Sequence, residues 1–175
     1  TYSETGLRLD AVSDWSRHSA TLSADGNWRK SLSGERIDEV EGGANGELRL
    51  DLGYDFDASL AAGYRVREES ASSPSAIAGV DKRPLRHILT GSAGLSRDAG
   101  RLRFGVTGDL SRSTYGDATL TDGTKISQGD RDSTLATARL RIGYEVSPAL
   151  RPFVEGEAGR RSYDEKHDSA GYARS

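Results

Sequence analysis

The feature that most limits what this chain can fold into is a period of two. Leu7, Leu9, Ala11 and Trp15 alternate with Arg8, Asp10 and Asp14, and Ala20, Leu22, Ala24, Gly26 and Trp28 alternate with Thr21, Ser23, Asp25, Asn27 and Arg29. Successive strand residues point to opposite faces, so each segment has one apolar and one charged face, which helical spacing would mix. The pattern recurs with Leu48, Leu50, Leu52 and Tyr54 opposite Arg49 and Asp51, and with Leu60, Ala62, Tyr64 and Val66 opposite Ser59, Arg65 and Arg67. It continues through Leu89, Ala93 and Leu95, then Leu102, Phe104, Val106 and Leu110 opposite Arg101, Arg103 and Asp109. Ala138, Leu140, Ile142 and Tyr144 follow opposite Arg139, Arg141 and Glu145, and Pro152, Val154, Gly156 and Ala158 opposite Glu155 and Glu157. The expectation is an all-β antiparallel up-and-down meander of about eight strands, each about ten residues long.

The connections alternate in length. Short ones are expected at Ser16-Arg17-His18, Asp55-Phe56-Asp57, Arg97-Asp98-Ala99-Gly100 and Ser147-Pro148-Ala149, and long polar ones at Lys30 to Glu39, Glu68 to Arg83 and Ser113 to Asp132. Outer-membrane barrels join their strands by tight periplasmic turns and longer external loops, so this alternation assigns a side to each strand end. Trp15, Tyr54, Phe104 and Tyr144 fall near the short turns and Trp28, Tyr115 and Tyr163 near the long loops, as two interfacial aromatic girdles would require.

Composition by itself points the other way, with 34% hydrophobic and 29% charged residues and a mean hydropathy of -0.64. A transmembrane barrel escapes that inference because only every second strand residue faces lipid. Small residues on the apolar face, such as Gly42, Ala44, Gly46, Gly91 and Ala93, suit lipid tails better than a close-packed core. A soluble β-sandwich or lectin-like domain is the alternative in which the apolar face is simply the core. No apolar run reaches the about 20 residues of a membrane helix. The net charge of -3 is dispersed, leaving no footprint for nucleic acid, and the absence of cysteine excludes disulfides and thiolate sites. The chain reads as one domain over residues 1–175. It starts without a leader pattern and ends at Arg174-Ser175 rather than in a closing strand, so truncation at the C-terminus is expected.

The charged face is the candidate functional surface: Arg8, Asp10, Asp25, Arg29, Arg49, Asp51, Arg65, Arg67, Arg101, Arg103, Asp109, Arg139, Arg141, Glu145, Glu155 and Glu157. In a wide pore these residues bias which ions or acidic sugars pass; in a narrow barrel they neutralise one another. Asp117, Asp122, Asp130 and Asp132 raise a calcium loop, but their spacing is not that of an EF-hand and Asp122-Gly123 is more simply a turn. His18, His87 and His167 are scattered, and His167 with Asp164 and Asp168 supplies no nucleophile or oxyanion hole. No catalytic residue, cofactor or metal is expected, and no enzymatic activity.

The stretch Ala138 to Glu155, with its Tyr144-Glu145-Val146-Ser147-Pro148-Ala149 turn, followed by Tyr163-Asp164 and Asp168 to Ser175, resembles the putative β-barrel porin family of Gram-negative outer membranes. The resemblance implies an outer-membrane location, lipid or lipopolysaccharide around the wall, a larger barrel, and passage of a small polar solute or a link to polysaccharide export. A structural or adhesive barrel with a filled lumen, including an autotransporter translocator, is the second expectation.

Overall fold

The computed structural model describes residues 2–31, 39–69 and 80–165. Eight long strands, β1 (Tyr2–Asp14), β2 (His18–Ser31), β3 (Glu39–Gly53), β4 (Phe56–Glu68), β6 (Leu85–Ala99), β7 (Leu102–Tyr115), β10 (Ser133–Tyr144) and β11 (Phe153–Tyr163), form one antiparallel sheet in sequence order. Each pairs with its predecessor, and β1 and β11 are the two edges of an open sheet. Three short strands, β5 (Val80–Lys82), β8 (Ala118–Leu120) and β9 (Lys125–Ile126), make a second sheet, followed by a 3-10 turn at Gly129–Arg131.

The strands run longer than the pattern implied, 11 to 15 residues, because the turns are tighter. Phe56 and Asp57, expected in a turn, already belong to β4, and His18 opens β2. The connection shrinks to Tyr54-Asp55, both with positive φ (53° and 62°), the backbone that suits a two-residue hairpin to strand twist. Asp51 braces this strained turn, since its Oδ1 accepts the Gly53 N–H at 2.8 Å while its carboxylate accepts the Arg17 fork at 3.0 and 3.1 Å.

Register keeps the two faces separate across the sheet. One apolar row runs Ala11, Leu22, Gly46, Ala62, Gly91, Leu110, Ala136 and ends at Arg160 on β11, and a polar row runs Asp14, Ser19, Arg49, Ser59, Gly94, Thr107, Arg139, Glu157. The glycines reveal which face is concave. A Cβ added at Gly26, Gly91, Gly108 or Gly156 of the apolar face meets nothing within 4 Å, with Gly42 (3.1 Å from the Asp25 carbonyl) and Gly46 (3.7 Å from Leu22) the exceptions on β3, whereas one at Gly43, Gly63 or Gly94 of the polar face comes 2.9 Å from the Tyr64 carbonyl, 2.7 Å from Thr90 Oγ1 or 2.6 Å from Ser59 Oγ. Neighbouring strands converge on the polar side and diverge on the apolar side, so the sheet wraps around its charged face.

The convex face carries a slanted uncharged belt. On β6 it lies between His87 and Arg97, positions ten steps apart that span about 24 Å across a membrane when a strand rising about 3.4 Å per residue tilts near 45°. The loop-side edge of the belt is Val66 on β4, opposite His87; two strands on it is Leu110 on β7, opposite Gly91; two further on it is Ala158 on β11, in the row of Ala93. Its turn-side edge moves less, from Phe56 opposite Arg97 to Leu102 opposite Ala99. A slide of about 1 to 1.5 residues per strand spacing of about 4.8 Å corresponds to a tilt of about 35–45°, the stagger of a barrel wall. Outward charges are confined to the strand ends, as with Arg112, which grips Asp164 at 2.6 Å beyond the belt.

A core is nearly absent. Among the described residues the buried ones are Pro84, Ser113, Ala118 and Gln128, all at the loop end. Residues 116–132, expected as a plain polar loop, instead form β8, β9 and the 3-10 turn and fold back over the wall. Leu7, Leu110, Leu140 and Val154 of the belt are exposed, and a bilayer is the solvent that such a surface matches.

Candidate functional site: the concave charged wall

The expected charged residues occupy one face. Register puts Arg8, Asp10, Asp25, Arg29, Arg49, Asp51, Arg65, Arg67, Arg103, Asp109, Arg139, Arg141, Glu155 and Glu157 on the concave side. Arg101 and Glu145 lie just past strand ends, in the turns, joined by the Glu145 N–H donating to the Arg101 carbonyl at 2.7 Å. The same parity adds Glu4, Glu41, Glu47, Asp57 and Arg86, which the segment-by-segment reading passed over because they sit near strand ends or face small residues.

Pairing is extensive and mostly exposed. Arg139 reaches Glu157 at 2.8 Å and Glu155 at 3.6 Å, Arg103 reaches Asp98 at 3.2 Å and Asp57 at 3.7 Å, and Arg8 holds Asp10 at 2.7 Å. Arg65 spans β3 to meet Asp25 at 3.3 Å and also contacts Glu41 at 3.4 Å. Gly43 lies between Asp25 and Arg65 in the same row. With no side chain there, the Arg65 side chain crosses the strand, its Cζ 3.4 Å from where a Cβ would stand. Arg141 stacks 3.6 Å over the ring of Phe153 in a cation–π arrangement and also reaches Glu155 at 3.9 Å.

Two basins follow from the curvature. At the turn end, Arg49 of β3 and Arg141 of β10, four strand steps apart, line one basin of about 870 Å³ together with Asp57, Arg101, Arg103 and Glu145. At the loop end a second space of about 700 Å³ lies between the wall and residues 126–131. There Arg131 donates to Glu69 at 2.6 and 2.9 Å and to Gln128 at 3.0 Å. Glu69 and Arg131 are only 11% and 19% exposed, the most enclosed ion pair among the described residues, and the contact with Glu69 raises the Arg131 pKa further above its usual range. The Arg131 guanidinium also stands 4.1 Å over Tyr115, whose N–H donates to Asp132 at 2.8 Å.

This corrects the aromatic reading. Tyr115 and Tyr163 share the parity of Ser113 and Ser133, so they line the concave space beneath the folded loop instead of joining an outer girdle. Trp28 and Tyr64 do face outward, and the Tyr64 hydroxyl meets His87 Nδ1 at 2.7 Å. Two aspartates of the loop serve the backbone. Asp122 accepts the Thr124 N–H at 2.9 Å, which holds its carboxyl below the usual range, and Asp132 is spent on Tyr115. No three metal-ligating side chains come together among the described residues. His167 and the stretch Asp168 to Ser175 lie outside the described residues.

The sequence matches the model of the family described as "Putative beta-barrel porin 2" over residues 1–175. No curated protein and no solved structure matches it.

Proposed function

The chain belongs to the Putative beta-barrel porin 2 family, and from that premise we propose that it forms part of an outer-membrane pore wall through which a small polar or charged solute passes without chemistry. The observation that carries the reading is the curvature: the charged face is concave and the uncharged belt convex. A wall built this way presents charges to an aqueous interior and small apolar side chains to lipid or lipopolysaccharide. Specificity then comes from field and width, with binding energy rather than a reaction as the working quantity. Arg49 and Arg101 line the turn-end basin without an ion-pair partner among the described residues, which favours anions at that end.

The test is single-channel conductance of the full-length protein in a planar bilayer, beside an Arg139→Glu plus Arg141→Glu variant. The expected result is steady conductance whose anion preference falls in the variant. Silence from a correctly inserted barrel breaks the pore reading and favours the structural or adhesive one.

A further inference from the structure

The loop-end chamber has a chemistry of its own. Its walls are hydroxyl-rich, with Ser111, Ser127 and Ser133 beside Tyr115, and its volume of about 700 Å³ lies within the range that encloses a small organic molecule. Two of its guanidiniums are uncommitted to any carboxylate among the described residues. Arg131 is occupied by Glu69 and Gln128, and Asp130 is engaged as well. Arg161 has no ion-pair partner among the described residues. Arg86 has one bond to Ser113 Oγ at 3.1 Å and the Tyr115 ring 5.4 Å from its Cζ, while its Nε is buried with no acceptor. A buried N–H donor without an acceptor is costly.

We infer that this chamber is a solute-binding subsite for a small hydroxylated carboxylate. Arg86 and Arg161 supply the charge for the acid, and planar forks accept carboxylates at two points. The serines supply hydroxyl partners, and the folded loop, latched by Arg131 to Glu69, keeps the space narrow enough for direct contact. The inference deepens the pore reading, resting on the concave face being a solute path, and it makes the outer mouth the selective step.

Gluconate and glucose are suitable probes, because they share size and hydroxyls and differ in charge. Titration calorimetry of the full-length protein in detergent is expected to show binding of gluconate and not of glucose. Arg161→Gln, at an exposed position, and Arg86→Gln are each expected to weaken that binding at least tenfold while the barrel keeps its heat-modifiable gel mobility. In the bilayer, gluconate added on the loop side is expected to interrupt the current of the wild type and not of the variants. Equal binding of the two probes, no binding of either, or unchanged gluconate affinity in both variants overturns the subsite. Gluconate binding without conductance keeps the subsite and removes the pore; conductance without charge-dependent binding does the reverse.

Discussion

The turn-end two thirds of this molecule and its loop end solve the same problem by opposite means. The wall is one layer thick, with both faces exposed, and its cross-strand contacts are backbone ladders and solvated ion pairs. The loop end is two layers thick, holds every buried residue described, and contains the most enclosed ion pair among the described residues. The difference teaches that the wall takes its stability from the solvent it is matched to, while the folded loop takes it from packing and charge-assisted hydrogen bonds. Substitutions should therefore divide by face in the wall and by contact in the loop.

The largest expected effect tests the wall. Leu140→Arg places a charge at the centre of the β10 belt and should cost about 2–4 kcal/mol in denaturant unfolding from lipid vesicles. Thr107→Arg on the concave side should leave that stability nearly unchanged. Equal losses would mean that the two faces see the same medium. Next comes the latch. Arg131→Ala removes hydrogen bonds between charged groups of the kind that contribute about 1.5–3 kcal/mol, so hydrogen exchange at Thr119 to Ile126 should speed by about ten- to a hundredfold. The wall amides of β2 and β3 should keep their protection, and a global change would show that the two regions are not independent.

Two alanine substitutions sharpen the curvature. Gly43→Ala pushes a Cβ against the Tyr64 carbonyl and the Arg65 side chain, an overpacking expected to cost about 1–2 kcal/mol and to release Arg65 from Asp25. Gly108→Ala on the convex face meets open space and should be neutral or stabilise by about 0.5 kcal/mol through the unfolded chain. Both are read by unfolding midpoint in the same vesicles. A reversed order would mean that the sheet bends the other way.

Much of this was legible in the chain. Side chains alternate strictly along a strand, so the parity of Arg49, Arg139 or Glu157 was settled once the strand was recognised. Tyr115 and Tyr163 were misplaced because distance from a loop was used where parity decides. The latch left little trace in sequence, since Glu69 and Arg131 are 62 residues apart and neither belongs to an alternating segment. The chamber was hidden for the same reason: its lining draws on wall residues of ordinary pattern and a loop that reads as a plain polar connection.

The sequence by itself determined the strand order, the two faces and the alternation of tight and long connections, because each follows from local periodicity and turn chemistry. Only the tertiary structure decided which face is concave, how far the belt slants, and that residues 116–132 fold inward. Curvature and stagger are properties of strands taken together, and the inward loop depends on contacts between segments far apart in the chain, which no local pattern encodes.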